Sequence, residues 1–252
     1  MAKLMTSIPV SRWALVGFGL ALIGLVVLLI GGPGHRLGLW DFRTGLTLLR
    51  WGAYLGIAAL AVSLVGAIVA RPGGPHRGFG WALAGLVIAG VTVVVPLLWS
   101  YQAQQVPRIH DITTDTEDPP RFVEILPLRA DAPNPAEYGG PEIAAQQRQG
   151  YPELGPAHFN HPKEPVFAQA LTIAQDMGWD IVATDPAAGR IEATATTFWF
   201  GFKDDVVVRV TETADGSRVD VRSVSRVGLS DVGTNAARIE AFLERLKDRI
   251  GS

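Results

Sequence analysis

Cysteine is absent from the 252 residues, which excludes disulfides, thiolate metal sites and a cysteine nucleophile. Charged side chains are missing from three long stretches: Trp13 to Ile30, Trp51 to Ala70 and Phe79 to Trp99. Acids are scarce at the start, where residues 1–99 hold seven Lys and Arg against the single carboxylate of Asp41. The remainder lacks a basic footprint. Residues 100–252 carry fifteen Lys and Arg against twenty-three acids, which argues against a nucleic-acid partner. There is no internal repeat, no Gly-rich phosphate loop, no βαβ run and no Gly-x-Ser-x-Gly elbow.

The charge-free stretches are eighteen, twenty and twenty-one residues long, and a helix needs about twenty apolar residues to cross a bilayer. They predict a membrane module over residues 1–101 with spans at about 13–30, 51–70 and 79–99, and hence the lipid bilayer as a partner. The first span follows Lys3 and Arg12 as a secretory leader would. It runs into Gly31-Gly32-Pro33-Gly34 without a small-residue cleavage pattern, so it is expected to be retained. Trp13, Trp51, Trp81, Trp99 and Tyr101 lie near the span ends, where amphipathic rings favour the headgroup region. The lack of charge at depth argues against a pump or proton relay. Gly52 and Gly56 offer a small-xxx-small pair for close helix approach. Leu37 to Leu49 reads either as a short interfacial piece or as a plain loop. Basic residues tie between the two sides. The usual dominance of the first helix and the dense Arg71–Gly78 loop favour an N-terminus inside and a C-terminal domain outside.

Residues 102–252 read as a soluble α+β domain. Arg121 to Leu128 is a strand candidate. From Pro127 to Pro165 eight prolines predict a long loop wrapping the surface, with a helical turn at Pro141 to Gln149. Val166, Ala170, Ile173 and Met177 recur at helical spacing, and Gly178 stops that helix. Strands follow at Trp179–Thr184, Arg190–Thr197, Asp205–Glu212 and Arg218–Ser225, with an Asp215-Gly216 turn between the last two. A closing helix begins near Asp231, with Ile239, Phe242, Leu243, Leu246 and Ile250 on one face. The expected architecture is an antiparallel sheet of about four strands covered by two helices.

Five groups of residues are candidates for chemistry. In the hinge from His110 to Pro120, the carboxylates Asp111, Asp115, Glu117 and Asp118 are oxygen donors suited to a divalent cation. The bland reading is that Asp and Thr side chains close successive backbone turns. His110, His158 and His161 lack ligand spacing, so no metal and no cofactor are expected. A hydrolase would draw on Ser225 or Ser230 with His110 and Asp111. The loop from Ser225 to Asn235 places Ser230 or Asp231 to cap the closing helix, and Arg226 and Arg238 flank that helix N-terminus. These arginines either attract a small anion or pair with the hinge carboxylates. Phe198-Trp199-Phe200-Gly201-Phe202 is an aromatic run, read as an apolar lining at Phe198, Trp199 and Phe202, as a lip on the bilayer, or as core under the two helices.

The hinge His110–Pro120, taken with Ser225-Arg226-Val227-Gly228-Leu229-Ser230-Asp231-Val232-Gly233-Thr234-Asn235 leading into Ala237-Arg238-Ile239, resembles the bacterial domain-of-unknown-function 1499 family over about residues 105–250. The resemblance implies a membrane-attached or exported envelope domain, here on the periplasmic side of the bacterial inner membrane. It carries no established activity and no catalytic residues. The expected role is a non-catalytic binding or scaffold module for envelope proteins or lipids. The alternatives are an envelope hydrolase using the hinge carboxylates and His110, and a lipid-handling module using the aromatic run.

Overall fold

The computed structural model describes residues 8–251, which fall into two compact units. One comprises the residues up to Gln102 together with Trp199–Gly201, and the other holds the rest.

Three helices in the first unit, among the described residues, are long and apolar enough to cross a membrane: α1 (Arg12–Arg36), α2 (Phe42–Val69) and α3 (Phe79–Gln105). The chain is a membrane protein on that ground. The first two helices have a side-chain cap at their start. Ser11 Oγ accepts from the Ala14 amide at 3.4 Å, and Asp41 Oδ1 accepts from Arg43 and Thr44 at 2.7 and 3.3 Å. That second cap overturns the interfacial reading of Leu37–Leu49, because Phe42 onward is the first turn of α2. α1 also runs past Pro33, whose missing N–H leaves the Leu29 carbonyl without its helical donor. The Trp199 indole N–H donates to that carbonyl at 3.3 Å, and the Trp40 indole supplies Gly31 O at 3.1 Å. Trp199 and Phe200 therefore belong with the helical unit, which corrects the reading of the aromatic run as core under the two helices of the domain.

Small residues set the helix spacing, as Gly52 and Gly56 suggested. A Cβ added at Gly52 would lie 2.8 Å from Leu28 Cβ and 2.9 Å from Gly24 O, so α1 and α2 touch there through their backbones. Gly52→Val is expected to destabilise the unit by about 1–3 kcal/mol through overpacking. Gly90→Val, where nothing lies within 4 Å, should be silent. Thermal unfolding of both variants in the same micelle checks the contrast.

The second unit is an α+β layer. Among the described residues it has one sheet of six strands, ordered β1-β6-β5-β4-β3, with β2 also on β6. The strands are β1 (Asp111–Thr113), β2 (Ala157–Phe159), β3 (Asp180–Asp185), β4 (Arg190–Thr196), β5 (Lys203–Thr213) and β6 (Gly216–Ser225), all antiparallel to their neighbours. The two strands beyond the expected four are short pieces lying along β6, one of them inside the hinge. Helices α5 (Lys163–Asp176) and α6 (Thr234–Ile250) cover one face. There Ile191, Ala193, Val206, Val208, Val210, Val219 and Val221 meet Val166, Ala170, Ile173, Ile239, Phe242 and Leu246 in one buried core. Trp179 stacks on Phe242 with centroids 5.2 Å apart.

The Pro-rich segment contains α4 (Gly140–Gly150) where the helical turn was placed, and it also supplies β2, whose Ala157 and Phe159 enter the core. α4 is tied inward by Gln147, whose side chain accepts from Thr113 N at 3.0 Å and donates to Thr113 O at 2.6 Å. The strand expected at Arg121–Leu128 is absent from the described residues. A loop and a 3-10 turn at Leu126–Arg129 stand in its place. The amides of that loop find a side-chain acceptor instead of a partner strand.

Candidate functional site

Period-2 alternation sends the other half of each strand to the face away from α5 and α6. That face carries Glu192 and Thr194 from β4, Asp205 and Arg209 from β5, Arg218, Asp220 and Arg222 from β6 with Arg226 just past its end, and Asp111 from β1. In an exposed sheet these would be solvated. Here residues 114–139 cover them, and Phe122, Ile125, Val207 and Val224 form a small apolar cluster beneath the cover, with Ala136 and Val182 packed against it. The cover is held on by charge.

Glu192 is the first anchor. It is 0% exposed, and its carboxylate accepts from the amides of Val123 (3.0 Å), Glu124 (3.2 Å) and Ile125 (2.9 Å) and pairs with Arg190 Nε at 2.9 Å. Successive N–H groups converging on one carboxylate form a small anion nest, which is why this segment does not extend into a strand.

Arg222 is the second. Its Nε and Nη2 donate to the two oxygens of Asp111 at 2.9 and 2.7 Å, a bidentate pair. Nη1 reaches Pro120 O at 3.3 Å and Nη2 reaches Ala136 O at 2.7 Å, so one guanidinium stitches both ends of the cover to β1. The rings of Phe122 and Tyr138 lie 5.2 and 5.5 Å from it. Burial, and next the charge of Asp111, push the Tyr138 hydroxyl up to about 12, so it stays neutral at physiological pH.

The remaining hinge carboxylates have partners too. Asp115 Oδ2 meets Arg218 at 2.6 Å and Arg209 at 3.4 Å, while Asp115 Oδ1 accepts from the Glu117 and Asp118 amides at 3.0 Å. Asp118 pairs with Arg209 at 2.8 Å and Glu117 with Arg148 at 3.0 Å. Arg226 and Arg238 do not take these carboxylates, which corrects the expected pairing. Arg226 holds Asp205 at 2.8 Å and Leu128 O at 2.7 Å, and Arg238 holds Asp204 at 2.6 Å. The reason is register, since β6 places Arg222 opposite Thr113 while Arg226 lies beyond the last paired residue of that strand.

For Asp115, burial opposes ionisation. The backbone amides of Asp118 and Glu117 and the charge of Arg218 outweigh it and hold the carboxyl below its usual 3.8. A carboxylate depressed in the folded state contributes stability above its unfolded pKa and loses it as pH falls through the folded value. Protection of the Glu117 and Asp118 amides, taken relative to the intrinsic exchange rate at each pH, should therefore hold above the carboxyl's usual 3.8 and fall as pH drops below it. In Asp115→Asn that acid-induced step should be missing.

The two motif segments are joined on the opposite face, near the start of α6. Asn235, fully buried, donates to His110 O and Ser225 Oγ at 3.0 Å each and accepts from Ser223 Oγ at 2.7 Å and from Arg238. Asp231 caps α6, accepting from Gly233 N at 3.1 Å and Asn235 N at 2.6 Å. Burial raises its carboxyl above 3.8, against those amides. A carboxylate already occupies the helix N-terminus that an anion would need. Ser230 Oγ accepts from the Val232 amide at 3.2 Å, in a turn where Val232 takes a left-handed φ of 55°.

Other candidates are dispersed. His158 and His161 are exposed, and no group of three or more potential ligands converges among the described residues. Phe198 is 91% exposed, and Trp199 lies in the helical unit. The opening that remains beside the anchors is a cleft of about 410 Å³, bordered by the cover, with buried Arg222 at its floor and exposed Arg121 and Glu137 at its mouth.

Sequence reasoning missed Arg222, Glu192, Phe122 and Tyr138. A signal did exist. Arg218, Asp220 and Arg222 alternate with valines along β6, so charges of both signs share one face.

The sequence model of a family described as "Protein of unknown function (DUF1499)" matches residues 111–246. No curated protein matches the chain.

Proposed function

The chain belongs to the DUF1499 family, and from that premise we propose that it is a bacterial inner-membrane protein presenting its α+β unit to the periplasm as a non-catalytic binding or scaffold module for envelope components. The observation that carries this reading is the structural engagement of the groups a hydrolase would need. Both oxygens of Asp111 are taken by Arg222, Ser225 Oγ accepts from Asn235, and Ser230 Oγ accepts from Val232 N. A nucleophile and base must instead face each other and a substrate. What stays accessible is the cleft at Arg121, Glu137 and Tyr138, a mixed polar and apolar surface of the kind that binds.

The N-inside orientation is supported by the first-helix rule and by Arg71 and Arg77 in the α2–α3 loop, where Ser11 N donates to Arg77 O at 2.9 Å. Three spans then carry the C-terminal unit across. Reporter fusions after Ser252 test this. An active alkaline phosphatase and a dark green fluorescent protein are expected, and the reverse pattern would sink the periplasmic assignment.

A further inference from the structure

Five charged side chains line the cleft: Glu117, Asp118, Arg121, Glu137 and Arg222. Three are neutralised by residues outside the lining. Arg222 is held by Asp111 at 2.7 Å, Glu117 by Arg148 at 3.0 Å, and Asp118 by Arg209 at 2.8 Å. Arg121 and Glu137 have no ion partner among the described residues, and both are exposed. Between these opposite charges the walls are apolar, built from Pro119, Phe122, Leu126, Ala136 and the ring of Tyr138.

Taking the α+β unit as a binding module, we infer that this cleft binds a small zwitterion with an apolar body, its ammonium group toward Glu137 and its carboxylate or phosphate toward Arg121. A monoanion would satisfy Arg121 but meet Glu137. A monocation would satisfy Glu137 but meet Arg121. A neutral apolar molecule would cover two charges and pair neither, which is unfavourable. Only a ligand carrying both signs adds two ion pairs without breaking the Arg222–Asp111, Glu117–Arg148 or Asp118–Arg209 pairs. A volume of about 410 Å³ suits a dipeptide-sized body. Because both free charges sit at a solvated mouth, each should change affinity by about threefold to fivefold.

The test uses the full chain in detergent micelles and isothermal titration with three probes sharing one apolar body: the dipeptide Leu-Phe, its N-acetyl form and its C-terminal amide. Leu-Phe should bind at least about threefold more tightly than either blocked form. Arg121→Ala should abolish its advantage over the amide, and Glu137→Ala its advantage over the N-acetyl form. Both positions are exposed, so neither variant should disturb folding. Dihexanoyl phosphatidylethanolamine carries the same charge pair on a lipid headgroup. Binding of that probe with the same variant pattern, in place of Leu-Phe, would keep the zwitterion and assign it to a lipid. Equal affinity for the three dipeptide forms overturns the zwitterion while leaving a binding cleft. Binding by none of the four probes overturns both.

Discussion

Glu192→Ala is expected to lower the stability of the α+β unit by about 3–5 kcal/mol, the cost of removing one partner from a buried, hydrogen-bonded ionic site. The substitution removes the acceptor for the Val123, Glu124 and Ile125 amides and leaves Arg190 without its 2.9 Å partner. The loss should be local before it is global. The cover contributes little to the apolar core, so its amides should exchange rapidly while those of β5 and β6 remain protected. Hydrogen exchange read by mass spectrometry on the full chain separates these regions. A change below about 1 kcal/mol, or equal acceleration across cover and sheet, would show that Glu192 is not the anchor.

The second large effect is expected at Arg222. Arg222→Met should cost about 3–5 kcal/mol, because Asp111 is left buried without its countercharge and the Pro120 and Ala136 carbonyls lose their donor. Adding Asp111→Leu to Arg222→Met should recover part of that loss, since replacing a buried pair outright by apolar groups is often close to neutral. The recovery will be incomplete, because the two carbonyls remain unsatisfied and the cation–π contacts to the Phe122 and Tyr138 rings are lost. Urea unfolding of the single and double variants gives the coupling directly. A double variant as unstable as the sum of the two singles would mean that Asp111 and Arg222 act independently.

Much of the fold was legible because its period is strong. The three apolar runs, the helix through Val166 and Ile173, the hairpin at Asp215-Gly216 and the closing helix through Phe242 are local patterns that local rules read. β1 and β2 were not legible, since each is three residues long and exists only because β6 offers an open edge. The Arg121–Leu128 segment misled for a related reason. Its alternation suits a strand, and what overrides it is a glutamate 67–69 residues further along the chain. The candidate site was half legible. The hinge carboxylates and the Asp231 cap stand out by composition, whereas their partners could be identified only from strand register. Arg222 and Arg226 are four residues apart and on the same face, yet only Arg222 lies within the stretch that β1 pairs.

Placing β1 and β2 end to end along β6 also bears on behaviour at a crowded surface. A domain tethered to a bilayer meets its own copies at high local concentration, and an unpaired strand edge is the usual route to sheet-to-sheet association. The two short strands close one side of the sheet, using segments that arrive from opposite ends of the cover and loop. On the other side β3 carries a register irregularity between Ile181 and Ala183, which interrupts the regular ladder a second copy would need. One edge of β6 is thus covered and β3 lacks a regular ladder, so deleting the β2 segment is expected to expose the β6 edge and promote clustering, seen as a larger particle in size-exclusion chromatography of the full chain in detergent.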